Sequence, residues 1–297
     1  MLRPFELHRP ATVAEASALL TARPDASLYA GGTELLLLMK AGLLRPADVI
    51  DLKRIPSLGG LVERDDALAI GATVTHRTLE RSPLVRARWP LVAGVAAHVA
   101  NVRVRNVGTV GGNLAFADPH SDLATLLLVF DATVGLASAA GSRELPLRDF
   151  VRGPYETARE ADEVLTGVRL RAWPARTTGV YVKFGLHERP TLGLALALTL
   201  DEGERVTAAR LAVGCVSPRP HRVEPAERAL VGAPLGTRAA DVAGLVADAV
   251  DPVGDLHGGA DYKRELSRVF VRRALGAVAA RARGHAHDAR YPHAIVV

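Results

Sequence analysis

The sequence predicts an α+β protein, a two-part N-terminal region followed by a smaller α+β domain, and three observations carry that prediction. Near the start, a helical stretch, a short strand, a glycine pair, a second helix and a second strand follow one another within about 55 residues, as in a compact α/β unit. From Gly60 the pattern changes to short strand-like runs separated by tight turns. Beyond Trp173–Thr177 come longer strand-like runs and then two helical ones. The expected boundaries are 1–175 for the first domain, with subdomains at about 1–57 and 58–175, and 176–297 for the second.

Element by element, Thr12–Leu20 has helical apolar spacing, and Thr12 with Glu15 fits a capping box. Ser27–Ala30 reads as a strand broken by Gly31-Gly32-Thr33, Glu34–Ala41 as a helix, and Asp48–Leu52 as a strand. Gly60–Glu63, Ala67–Ala72 and Val74-Thr75 read as short strands, and Leu84–Val99 as a helical stretch interrupted at Pro90. Asn106–Asn113 is glycine-rich, Asp122–Phe130 is an apolar helix, Ala132–Leu136 with Arg143–Leu147 is a strand pair, and Glu163–Arg171 is a strand. In the second domain Gly179–Phe184 and Ala208–Val216 read as strands, Leu192–Asp201 as a strand or a buried helix, and Ala239–Ala249 and Tyr262–Arg283 as helices. The segment from Gly284 onward is polar, carries three histidines (His285, His287, His293) and is expected to lie loosely on the surface.

Composition narrows the function. With 48% hydrophobic residues in 297, the chain can bury a core without staples. No apolar run reaches the ~18 residues of a membrane span. No apolar signal core follows the start Met1–Glu6, so the expected location is the cytoplasm. One cysteine, Cys215, rules out an internal disulfide, an iron–sulfur cluster or a cysteine zinc site, and its apolar surroundings read as core. Any redox group must therefore be an organic cofactor or belong to a partner. The net charge of +5 is spread without a long basic run, so nucleic acid is not an expected partner. Only four of the 37 basic residues are lysine (Lys40, Lys53, Lys183 and Lys263), and lysine and arginine are not interchangeable. No histidine pair has metal-site spacing beside a glutamate, so no metal site is expected, and no Gly-x-Ser-x-Gly elbow or Gly-Lys-Ser/Thr phosphate loop is present.

Two segments invite a ligand. Ala30-Gly31-Gly32-Thr33-Glu34-Leu35 runs from strand to helix, where glycines allow close backbone approach and successive amides suit an anion. On its own the pair reads first as a plain strand-to-helix turn, and it lacks the three spaced glycines of a Rossmann loop. The segment from Asn106 to Leu123 holds Gly108, Gly111 and Gly112 among asparagine, threonine and serine, a donor-rich stretch suited to a long polar ligand. Asp118 or Ser121 is expected to cap the next helix. Asp122 in its first turn reads either as an acceptor for ligand hydroxyls or as an acid on the helix dipole.

Taken together, 29–35 and 106–123 resemble the FAD-binding medium subunit of the molybdenum hydroxylases, the family of xanthine dehydrogenase and carbon monoxide dehydrogenase. Asp162–Thr166 and Tyr181-Val182-Lys183-Phe184 are similar to further segments of that family, in the same order and spacing. The resemblance implies a p-cresol methylhydroxylase-type FAD domain. Tyr29, Ala30, Gly31, Gly32, Thr33, Glu34 and Leu35, with Gly108, Thr109, Gly111, Gly112 and Asn113, would wrap the FAD pyrophosphate. It also places Val99 at the cofactor. Asp122 would bind ribityl or ribose hydroxyls, Leu165 would offer backbone atoms near the flavin, and Lys183 would sit by the polar edge of the ring. It further implies a small [2Fe-2S] subunit and a large molybdopterin subunit as partners, in a dimer of heterotrimers, with electrons passing through FAD to NAD⁺, oxygen or a quinone. No residue here is expected to act on the substrate itself. In Gly185–Leu192, Thr191 stands about where many relatives carry an aspartate, which leaves acceptor choice open. The rivals are a stand-alone flavin oxidoreductase acting on a small alcohol or enol substrate, for which no base can be nominated, and a non-catalytic scaffold subunit.

Overall fold

Thr12 starts the first helix as its sequence dictates. Its hydroxyl accepts the Glu15 amide at 3.1 Å, and the Glu15 carboxylate returns to the amide of Ala11, one residue before the cap. In the computed structural model, which describes residues 2–186, 189–285 and 290–297, that helix spans Val13–Ala22. The chain forms two compact units: Met1–Arg88, Ala96–Ala117 and Asp131–Ala172 in the first, and Trp89–Val95, Asp118–Phe130 and Trp173–Val297 in the second.

The first unit holds two larger sheets. In a three-stranded parallel sheet, Asp48–Asp51 lies between Glu6–His8 and Ser27–Tyr29. Ile50, Leu52, Ile55 and Leu58 pack there with Ala16 and Leu20 of the first helix. The second sheet is antiparallel, in the order Leu61–Arg64, Ala67–Gly71, Val164–Arg171, Thr133–Ser138, Gly141–Pro146. The expected strand at Val74-Thr75 is reduced to a single bridge between Thr75 and Thr109, because Thr75 instead caps a helix, His76–Arg81. The helical stretch is interrupted at Pro90 as expected: one helix, Pro83–Arg88, ends before it and a second, Pro90–Ala97, begins on it, since a proline has no amide to lose in the first turn. The glycine-rich stretch also differs from expectation. It is two short helices, Val102–Val107 capped by Asn101 and Val110–Phe116 capped by Thr109, meeting at Gly108.

The second unit is a five-stranded antiparallel sheet in the order His221–Arg222, Val206–Gly214, Leu192–Leu200, Thr177–Phe184, Ala294–Val296. Leu192–Leu200 alternates large with small residues, a period of two that settles the open choice in favour of a strand. Leu192, Leu194, Leu196 and Leu198 face a core shared with Glu224–Leu230, Ala239–Ala249 and Ala260–Ala282. Gly193, Ala195 and Ala197 line the other face, in register with Gly214, Ala212 and Arg210. The fully buried helix Asp122–Leu128 lies along these strands, and a Cβ on Gly214 would collide with Thr125. Trp173 stacks on Phe130 at 4.2 Å and donates to the Val129 carbonyl. Cys215 is a buried free thiol. The end of the chain is not loose throughout: Ala294–Val296 adds an edge strand, and Val297 exchanges two backbone hydrogen bonds with Tyr181 at 2.8 and 2.9 Å. His287 of the tail histidines, and His187 and Glu188 of the 185–192 loop, lie outside the described residues. No helix among the described residues is long and apolar enough to cross a membrane.

Candidate functional site

In the first unit the two glycine segments, about 80 residues apart in the chain, meet backbone to backbone. A Cβ on Gly31 would strike the Val107 carbonyl oxygen and lie 2.8 Å from the Gly108 Cα. Gly108 is hemmed in by the Val104 carbonyl, His76 and the Thr33 methyl. A side chain at either glycine would wedge the two segments apart.

Their donors are disposed differently. Among the described residues no hydrogen bond uses the amides of Gly31, Gly32 or Thr33, and Gly32 takes the left-handed conformation with φ 72°. Such a run of half-buried amides without a protein acceptor suits an anion. The following helix, Leu35–Ala41, starts without a side-chain cap at Glu34. The second segment spends its amides internally. Val110 donates to Val74, Gly111 to Ala72, Gly112 to the Thr109 hydroxyl and Asn113 to the Thr109 carbonyl. Gly111 is buried because the helix packs flush on Ala72, whereas Gly112 is exposed. The expectation of many free amides there is therefore corrected: the segment's use of its own amides to start a helix leaves side chains and the outer face of Gly112 for a ligand.

Tyr29 packs its ring edge where a Cβ of Gly32 would be, and Lys53 sits over that ring at 3.7 Å. Val99 is half-buried, and its carbonyl accepts from Arg105. Leu165 is buried beside a bulge in its strand, and the next residue, Thr166, accepts the Ala72 amide at 3.0 Å. Glu163, two residues earlier, is spoken for by Arg143 at 2.6 and 2.8 Å, which holds its carboxyl below the usual range.

His76 sits behind this arrangement and was not singled out from the sequence. It is 2% exposed, its ring lies against Gly108, its amide donates to the Gly108 carbonyl, and its Nδ1 has no hydrogen-bond partner. Burial, aided by the Arg105 charge, lowers its pKa to about 4, so the imidazole is neutral at physiological pH.

The second unit gathers Asp122, Lys183 and Tyr181. Asp122 is 6% exposed, and its carboxylate accepts from Lys183 Nζ at 2.5 Å on one oxygen and from Tyr181 Oη at 2.9 Å on the other. Lys183 is thus an inward-facing cation, not a strand-end surface residue. The register explains the meeting. Lys183 pairs with Gly193 and Tyr181 with Ala195, so both side chains stand on the small-residue face under the Asp122 helix. Burial, with the Asp122 charge second, pushes the Tyr181 hydroxyl well above its ordinary value, so it stays a donor. The same two causes push the Cys215 thiol up. Neither expected cap forms on the Asp122 helix: Ser121 makes no side-chain capping bond, and Asp118 instead accepts the His120 amide and pairs with Arg189.

Each unit by itself offers donors that suit a part of FAD: in the first, amides without a protein acceptor beside interlocked glycines suit a pyrophosphate, and in the second, a buried carboxylate with an ammonium suits hydroxyls and a polar ring edge. Comparison with known proteins agrees. Residues 3–173 match the family model described as the FAD binding domain in molybdopterin dehydrogenase, and residues 187–278 match the CO dehydrogenase flavoprotein C-terminal domain. The chain is 37% identical over 281 residues to the carbon monoxide dehydrogenase medium chain of Hydrogenophaga pseudoflava, covering 93% of this chain and 98% of the other. It is 29% identical to a putative xanthine dehydrogenase FAD-binding subunit of Escherichia coli, at 93% and 97% coverage. Among solved structures, carbon monoxide dehydrogenase from Hydrogenophaga pseudoflava superimposes with a TM-score of 0.91, at 37% identity and 95% and 99% coverage. Quinoline 2-oxidoreductase from Pseudomonas putida 86 does so with 0.90, at 33% identity and 95% and 99% coverage.

Proposed function

The chain belongs to the FAD-binding medium subunits of the molybdenum hydroxylases, oxidoreductase subunits that bind FAD, and from that membership we propose that it relays electrons within such a complex. The supply is a small [2Fe-2S] subunit, fed by a large molybdopterin subunit. The acceptor is NAD⁺, oxygen or a quinone, and the assembly is a dimer of heterotrimers in the cytoplasm. Bound FAD supplies the redox chemistry. The chain's own residues bind it and tune it. The amides of Gly31, Gly32 and Thr33, flanked by Tyr29, Ala30, Glu34 and Leu35, hold the pyrophosphate. Gly108, Thr109, Gly112 and Asn113 offer the adjoining surface, with Gly111 anchoring it on Ala72. Val99 and Leu165 contribute backbone and apolar contact. Asp122 keeps lone pairs for ribityl or ribose hydroxyls while it holds Lys183. Lys183 places a positive charge at the polar edge of the ring, where reduction builds negative charge, and so favours the reduced state.

The observation that carries this reading is the run of three amides without a protein acceptor, locked against Gly108. The test is reconstitution. The purified chain is expected to take up one FAD. In the presence of a reduced [2Fe-2S] partner subunit the flavin's visible absorption is expected to bleach, and to return on adding an acceptor. A folded chain that takes up no FAD overturns the reading. Rapid bleaching by a small alcohol with no partner present overturns the relay in favour of a stand-alone oxidoreductase.

A further inference from the structure

Tyr181 is 1% exposed, and its hydroxyl is the second donor to Asp122, opposite Lys183. The fold makes room for it deliberately. A Cβ on Gly193 would come 2.5 Å from the Tyr181 oxygen, so the strand partner of Lys183 is a residue with no side chain. The backbone at Tyr181 is fixed as well, by Ala195 on one side and by the two hydrogen bonds from Val297 on the other. A hydroxyl this well buried, with a pKa pushed upward, never ionises at working pH and cannot itself exchange protons there. What it can do is decide how Asp122 divides its charge. A carboxylate with two donors on separate oxygens is partly neutralised by each. Without the hydroxyl, Asp122 depends on Lys183 alone: the net charge of the pair is unchanged, but one carboxylate oxygen loses the positive end of the dipole that faced it.

We infer that Tyr181 is a positioning residue that sets the reduction potential of the flavin through Asp122 and Lys183. The inference rests on the proposed placement of Lys183 at the flavin's polar edge. Its sign follows from charge: removing the hydroxyl dipole takes positive potential away from a site where reduction adds negative charge, so the potential falls.

The test uses the full chain loaded with FAD. Tyr181→Phe keeps the ring and its packing, so the fold is retained and the variant still takes up FAD. At a fixed solution potential the ratio of reduced to oxidised flavin is expected to drop about threefold to tenfold, less than a hydrogen bond to a charged group is worth directly, because it is felt through a second residue. For a two-electron couple that is a fall of roughly 15–30 mV. In an Asp122→Asn background the same Tyr181→Phe change is expected to move the potential little, because the coupling runs through the carboxylate. A Lys183→Met variant supplies the reference. If its potential falls and that of Tyr181→Phe does not, the Tyr181 inference is overturned while the flavin reading stands. If neither moves although FAD is bound, the placement of Lys183 at the flavin falls, and this inference with it. A Tyr181→Phe shift of equal size with Asp122 and with Asn at position 122 overturns the route through Asp122.

Discussion

Gly111 and Gly112 are adjacent, yet the structure assigns them opposite tasks, and alanine at each separates the two. A methyl at Gly111 would lie 2.5 Å from the Ala72 Cβ and 2.8 Å from its Cα and carbonyl oxygen, all held by a strand end. Nothing flexible can yield there, so Gly111→Ala is an overpacking change expected to cost about 1–3 kcal/mol. A methyl at Gly112 meets one atom, the Thr109 hydroxyl, at 2.8 Å. Turning that hydroxyl aside weakens a cap worth about 1 kcal/mol. Replacing a helical glycine by alanine returns about the same amount. The apo stability of Gly112→Ala is therefore expected to stay within about 1 kcal/mol of the parent chain, since these two terms nearly cancel. Its ligand behaviour should not. On the proposed reading the outer face of Gly112 meets the cofactor, and a methyl there is expected to weaken FAD binding about tenfold, equal to about 1.4 kcal/mol. Urea unfolding of the apo chain reads the first quantity, and titration of flavin fluorescence the second. The reasoning is refuted if Gly111→Ala unfolds at the parent's urea concentration, or if Gly112→Ala binds FAD as tightly as the parent.

Two further outcomes follow from the same unit. Gly31→Ala is expected to lose FAD uptake and stability together, since its methyl strikes the 107–108 backbone; a variant that unfolds like the parent and still binds FAD would contradict the interlock. His76 predicts a pH dependence: its folded value of about 4 lies below the ordinary 6.5, so its stabilising share is complete above about pH 6.5 and is lost as pH falls toward 4, amounting to roughly 3 kcal/mol. His76→Leu removes the buried unpaired Nδ1 and should flatten that slope between pH 7.5 and 5 in urea unfolding, and a slope equal to the parent's would show that the histidine does not titrate as its burial implies.

The legible parts of the sequence were those written in local chemistry. Thr12 with Glu15, and Ser27–Tyr29 running into Gly31-Gly32, state their structure within a few residues. Val206–Gly214 and Ala239–Ala249 follow from strand and helix patterns in the same way. What stayed hidden depends on partners distant in the chain. The helix His76–Arg81 has only His76 and Leu79 buried, too few apolar positions to show a period. The glycines at 111 and 112 read as part of a donor-rich stretch, but Thr109 turns it into a helix whose amides are consumed. The strand Ala294–Val296 sits behind a polar, histidine-rich stretch that masks its own β-forming residues. Asp122 and Lys183 could be named from the sequence as a resemblance, but their pairing, and Tyr181 as third member, required the strand register against Gly193 and Ala195.

The lysines join these observations. Arginine makes up 33 of the 37 basic residues, the remainder after four lysines, so a position that carries lysine in this chain has departed from the prevailing choice. Lys40 is exposed near a helix end. The other three are in special surroundings. Lys53 lies over the Tyr29 ring beside the first glycine segment. Lys183 is pressed into Asp122, and Lys263, 1% exposed, donates to Asp255 and to the Val253 carbonyl. A guanidinium is planar and carries five donors in a rigid fork, whereas an ammonium is compact and carries three. Each donor left unmet in a buried slot costs about 1–3 kcal/mol. At Lys183 the ammonium meets one oxygen of the Asp122 carboxylate while Tyr181, on the same strand face, takes the other. Both lysines that meet a carboxylate away from solvent, Lys183 on Asp122 and Lys263 on Asp255, are thus places where the smaller cation is kept in a chain that otherwise prefers arginine.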